Sequence, residues 1–74
     1  VAHEIRAEMV ANVMTVDVTP GDQVGNGDSV VVLESMKMEI PVLTERPGRV
    51  DEIAVSPGDV VREGDLLAVI ENPG

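Results

Sequence analysis

The 74-residue sequence predicts an all-β domain made of two similar halves. Three observations predict it. The apolar content is β-branched, with 15 Val and 4 Ile against 4 Leu and no Phe, Tyr or Trp, which suits strands better than helices. Pro-Gly and Gly-Asp pairs recur at close intervals and interrupt every candidate helix. One stretch also occurs twice: residues 18–35 read VTPGDQVGNGDSVVVLES and residues 55–72 read VSPGDVVREGDLLAVIEN, offset by 37 residues with 9 of 18 positions identical. This is the signature of two copies of one β unit, each a fraction of a single domain spanning 1–74.

The elements follow in order. Residues 13–18 and their counterpart 50–55 form the first strand of each unit. Val13, Val16 and Val18 do not alternate perfectly, so a bulge or bend is expected there. Pro20-Gly21 and Pro57-Gly58 then make a turn, proline presetting φ and glycine accepting positive φ. A very short strand holds Val24 or Val61. Gly27-Asp28 and Gly64-Asp65 make a second turn six residues after the first, followed by the longer strands 29–35 and 66–71, with Val32 a candidate for the core. Residues 39–44 form a further strand carrying Ile40, Val42 and Leu43. Two similar sheets folded face to face would bury one face of each and leave few free edges, giving a pseudo-twofold sandwich or flattened barrel. Ser35 and Asn72 are equivalent in the repeat, so the turn at 36–38 corresponds to the chain end and belongs at the pole opposite the termini. His3, near the N-terminus, reads as a frayed, solvated residue.

Composition narrows the function. The chain carries 14 acids against four Arg and one Lys, a net charge of −9. Phosphate binding needs clustered cations, so nucleic acid and anionic membranes are unsuited partners; the charge reads first as a device for solubility, with steering toward a basic partner surface the sharper alternative. There is no cysteine, hence no disulfide, thiolate metal site or cysteine catalysis. No apolar run has the length of a membrane span and no basic, apolar leader opens the chain, so the expectation is a cytoplasmic protein and a monomer in isolation. Asp22 and Asp28 lie in glycine-rich loops, but their spacing is not that of a calcium loop and the second unit repeats them in the same role. They read as turn residues, and no metal site is expected.

The single lysine, Lys37, lies in ESMKMEI, residues 34–40, between Met36 and Met38 and flanked by Glu34, Ser35 and Glu39. The chain reverses there within a few residues, yet the turn lacks the Gly or Asn of ordinary tight hairpins. Turn chemistry alone does not select these residues, so another demand acts on them. The two methionines cannot both point inward at a tip where Lys37 points out, and at least one is expected to present apolar surface to a partner.

Residues 34–39, with Met36-Lys37-Met38 at their centre, resemble the biotin-acceptor motif of biotin carboxyl carrier domains. The V-x-P-G-D-x-V-x-x-G-D frame on either side resembles the biotinyl/lipoyl attachment fold (a single hybrid motif), and the resemblance covers nearly the whole chain. It implies two four-stranded antiparallel sheets in a flattened barrel with Lys37 on an exposed β-turn. It also implies a non-catalytic carrier. A biotin protein ligase would join biotin to the Lys37 ε-amine, with Glu34, Ser35, Met36, Met38 and Glu39 as the recognition motif. The biotin would then shuttle carboxylate between biotin carboxylase and carboxyltransferase sites as a swinging arm. Glu34 and Glu39 would favour the ammonium form, so activation of the amine falls to the ligase. Lipoyl domains usually carry Asp-Lys-Ala around their lysine. A lipoyl carrier is therefore the first alternative, and an interaction protein that keeps the fold without serving a carboxylase is the second. No room exists between Val18 and Val24 for the protruding thumb of acetyl-CoA-carboxylase carriers, so the resemblance is to thumbless carriers, whether as a freestanding small biotinylated protein or as a domain of a longer chain. Many carriers open their first unit with Pro-Gly; here Val10-Ala11 matches Pro47-Gly48, leaving that first turn less well specified.

Overall fold

A computed structural model describes residues 2–72. Eight strands follow in chain order: β1 (Ala2–Arg6), β2 (Ala11–Val16), β3 (Gln23–Val24), β4 (Ser29–Ser35), β5 (Met38–Leu43), β6 (Gly48–Ile53), β7 (Val60–Val61) and β8 (Leu66–Glu71). They form two four-stranded antiparallel sheets, ordered β1-β8-β6-β3 and β5-β4-β2-β7. Shifting residue numbers by 37 carries β2 onto β6, β3 onto β7 and β4 onto β8, so the sequence echo is a structural pseudo-twofold relating the two sheets.

The repeated motifs act at the corners. In Thr19-Pro20-Gly21-Asp22 the Asp22 N–H donates to the Thr19 carbonyl (3.1 Å), while the Asp22 carboxylate accepts the Thr19 N–H (2.9 Å). The same double bond closes the turns ending at Asp28, Asp59 and Asp65, with carboxylate contacts of 2.8, 2.9 and 2.9 Å. The residue before each aspartate is a glycine with φ between 92° and 97°, a region closed to other residues without strain. The carboxylates of Asp22 and Asp28 are thus engaged by turn amides, the role that the repeat predicts for them.

The core lies between the sheets and is wholly aliphatic: Ile5, Val13, Val24, Val30, Val31, Leu33, Val50, Val61, Leu67 and Ile70 are buried, with Ala7, Ala11 and Ala68 filling narrow places. The register shifts between Val13 and Thr15 in β2 and between Val50 and Glu52 in β6, so the expected bulge is present in both halves, with exposed Met14 and Asp51 as the extra residues. These two strands begin and end two residues earlier than the apolar pattern suggests. Val18 and Val55 lie beyond the strands yet pack against the core from the following loops. In β4 the buried residues are Val30, Val31 and Leu33, and Val32 is only half-buried; a shift in the β4–β5 register sets two consecutive valines inward. His3 is not frayed. It belongs to β1, is half-buried, and pairs with Ile70 of β8.

The topology sets the two poles. Ala7 N–H donates to the Asp65 carbonyl and Gly64 N–H to the Ala7 carbonyl, both at 2.8 Å, so the start of β8 adjoins the end of β1. Ala11 then pairs with Val61, and Asn12 with Glu34, so the same pole receives the end of β4. β8 runs away from this pole and ends at Glu71, paired with Ala2. Ala2 and Glu71 therefore meet at one pole and the β4–β5 hairpin forms the other, along a body 37 Å long and 17–18 Å across. Six residues link β2 to β3, and four of them form the turn at Asp22, leaving no protrusion.

The pseudo-twofold breaks at one tight point. A methyl group on Gly48 would overlap the Glu71 carbonyl oxygen and approach Ile70 Cγ2 to 2.9 Å, whereas its counterpart Ala11 carries a methyl group buried in the core. Gly48→Ala is therefore expected to destabilise the domain by about 1–3 kcal/mol, and Ala11→Gly by about 1 kcal/mol or less. Urea denaturation of both variants checks this ordering, and equal midpoints would refute the close approach at Gly48.

Candidate functional site

β4 and β5 pair through Ser29↔Leu43, Val32↔Pro41, Leu33↔Ile40, Glu34↔Glu39 and Ser35↔Met38. Leu33 anchors the stem in the core, and Pro41 lies on an edge strand, where its missing N–H is tolerated. The register leaves two residues, Met36 and Lys37, as the whole loop. Both have positive φ, 52° and 65°, which defines a type I′ turn. They are the only residues other than glycine with positive φ among those described. This backbone matches the right-handed twist of the strands, but an L-residue in it costs about 1–2 kcal/mol. The hairpin thus holds side chains at two positions where glycine or asparagine would relieve strain.

Those side chains are presented outward. Met36 is 91% exposed and Met38 63%, so both methionines offer apolar surface where the sequence predicts at least one. Lys37 is exposed, and among the described residues no hydrogen bond or ion pair holds its side chain. Glu34 and Glu39 face each other across the strands and are exposed, while Ser35 is half-buried at the stem. The six residues singled out in the sequence are therefore brought together on one hairpin. Like charges directly opposite on a sheet repel, so the Glu34–Glu39 pair is another local cost at the tip. A groove of about 470 Å³ lies elsewhere, between edge strands β1 and β5, and is lined by Ile5, Met9, Ile40, Val42 and Leu43 among others. Lys37 stands outside it at a convex end. The sequence reading did not single out Met9, Val10 or Val60, whose exposed side chains stand on segments beside the hairpin.

A free amine on a protruding, rigid two-residue turn suits a group that must be added by one protein and presented to others. The architecture and this turn define the class: a small β-sandwich carrier that presents a lysine. The biotin/lipoyl family model, described as "Biotin-requiring enzyme", matches residues 3–70, and the chain belongs to this family. Among its relatives, the "Biotinylated protein TB7.3 homolog" of Mycobacterium leprae is 57% identical over 53 residues, 72% of this chain and 75% of that protein. The "Biotin/lipoyl attachment protein" of Bacillus subtilis is 45% identical over 49 residues, 66% and 67% of the respective chains. Among solved structures, a single-chain, multi-domain long-chain acyl-CoA carboxylase matches with a TM-score of 0.90 and 32% identity over 96% of this chain, which spans 7% of that enzyme. The lipoyl domain of the 2-oxoglutarate dehydrogenase complex from Azotobacter vinelandii matches with a TM-score of 0.82 and 30% identity, over 96% and 98% of the two chains. The protein is thus a biotin-carrier module of the biotin/lipoyl superfamily, a carrier domain without an active site of its own, in a family for which covalent biotin attachment is typical.

Replacing the turn by the residues its backbone favours separates strain from use. Met36→Asn combined with Lys37→Gly is expected to raise stability by about 1–3 kcal/mol. The check is an increased denaturation midpoint at unchanged slope; a lower midpoint would show that the native side chains stabilise the turn.

Proposed function

We propose that Lys37 is the biotin attachment site, that a biotin protein ligase forms the amide there, and that the loaded domain serves biotin carboxylase and carboxyltransferase partners in the cytoplasm. The observation that carries this reading is the type I′ turn built from Met36 and Lys37, which keeps two strained side chains at the exposed pole instead of Asn-Gly. Lys37 is also the chain's sole lysine, so a ligase has no competing side-chain amine. Its exposed, unpartnered side chain fits a tethered group.

Each neighbour has a part in this reading. The turn fixes the Cα of Lys37 at the apex, and the lysine stem supplies the flexible length. Met36 and Met38 give apolar contact on either side without branching that would block access. Glu34 and Glu39, both exposed beside the turn, attract a basic partner. Bound biotin supplies a ureido nitrogen that takes up and gives up a carboxyl group. Tethering raises the local concentration of that group at both partner sites and removes free diffusion between them. The lipoyl-domain likeness means that the fold itself serves either acyl group. Met36 and Met38, together with relatives described as biotinylated proteins, favour biotin.

The test is intact mass after reaction with a biotin ligase, ATP and biotin. Wild type is expected to gain one biotinyl group and Lys37→Arg none, with the same melting temperature for both. An unmodified wild type, or a lipoyl increment on protein from cells able to attach both groups, would overturn the assignment. Loss of biotinylation with no change in any carboxylation activity of the source cells would favour an interaction protein instead.

A further inference from the structure

Exposed apolar side chains are unevenly distributed between the two poles. Val10 is 63% exposed and Val60 66%, and Met9 is also exposed. Asn12 pairs with both Glu34 and Val60, so the start of β2 lies between the hairpin stem and β7. Val10 immediately precedes that start, and Met9 belongs to the segment from Ala7 to Ala11 that crosses between sheets at this pole. With Met36 and Met38, these residues place five exposed apolar side chains at the pole that carries Lys37. The internal repeat supplies a control within the molecule. Thirty-seven residues away, Met9, Val10 and Val60 correspond to Arg46, Pro47 and Gln23. The fold is built with arginine, proline and glutamine at the matched positions, so folding does not require methionine and two valines at the Lys37 pole. Exposed apolar patches that the fold does not require mark contact surfaces.

We propose that Met9, Val10 and Val60, with the two hairpin methionines, form the docking surface for the ligase that modifies Lys37. The proposal rests on the biotin-carrier reading above and names the surface it uses. The occupant is a protein with an apolar depression bordered by Lys or Arg, because Glu8, Glu34, Glu39, Asp59 and Glu63 are exposed on the segments carrying the patch or next to it. The ligase is favoured over later partners by the chemistry of its step. Lys37 Nζ must lose a proton to a base on the ligase and attack the carbonyl carbon of a biotinyl adenylate. The amide C–N bond forms, the bond from carbon to the adenylate oxygen breaks, and AMP leaves. Apolar side chains closed against the ligase exclude water from the reacting amine and protect the adenylate from hydrolysis.

The test uses the whole chain, a purified biotin ligase, ATP and biotin. Met9→Arg and Val60→Gln import the residues of the matched positions, and Met14→Asp does the same for an exposed methionine on the β2 bulge that is not part of the proposed surface. Melting temperatures within a few degrees of wild type establish folding; Val60→Ser replaces any variant that fails this criterion. The patch double variant is expected to lose at least tenfold in kcat/KM for biotinylation, mainly through KM, while Met14→Asp stays within twofold. If wild type is modified and the patch variants are modified equally fast, the docking proposal is overturned and the carrier reading stands. Equal modification with slower carboxylation of the attached biotin would assign the patch to a carboxylase and likewise overturn it. A wild type that takes no biotin overturns the carrier reading itself.

Discussion

Four aspartates hold the corners of this domain, and the rest of the structure depends on them. Each closes a turn twice, through its backbone N–H and through a carboxylate that accepts the amide three residues earlier. The glycine before each one supplies the positive φ that lets the chain turn so sharply. With no aromatic residue and no disulfide, the thin aliphatic core gains little from any one side chain. Corners that fix strand spacing and register let short strands, two of them only two residues long, still close a sandwich. Part of the acidic character is therefore architectural. Among the described residues, the ion pairs Arg6–Glu4 at 2.8 Å and Arg49–Asp51 at 4.0 Å are exposed and contribute little.

Against these relaxed corners the β4–β5 hairpin stands out. Where the four Asp-closed turns place glycine at positive φ, the hairpin places methionine and lysine. Where the pole opposite the hairpin has Arg46, Pro47 and Gln23, the Lys37 pole has Met9, Val10 and Val60 at the matched positions. Duplicated architecture and local departure from it thus divide the labour: the repeat builds the body, and the deviations from the repeat mark the proposed contact surface.

Much of this was legible in the sequence. The echo carried β3, β4, β7 and β8 to their observed places, and the imperfect alternation of Val13, Val16 and Val18 announced the bulge. The single lysine between methionines announced the hairpin and its exposed side chains. What was not legible has physical causes. β1 is short, charged and terminal, and its only apolar anchor is Ile5; subtracting 37 from Ile40 and Val42 of β5 would have found His3 and Ile5. Val18 and Val55 extended the apolar pattern past the true strand ends, because burial from a loop leaves the same mark in sequence as burial from a ladder. Val32 could not be told from Val31, since the choice depends on a register shift set by the partner strand. The grouping of Met9, Val10 and Val60 became visible only when pairing through Asn12 brought distant segments to one pole.

The opposition of the poles has a mechanical consequence. Ala2 and Glu71 are paired at one end of a body 37 Å long, and Lys37 occupies the other. Held at the Ala2–Glu71 end, the body is a stiff lever. A small rotation there carries the amine along an arc whose radius approaches the length of the whole domain and far exceeds that of one side chain. The eight strands are then the long segment of the arm, and the lysine stem is only its last joint.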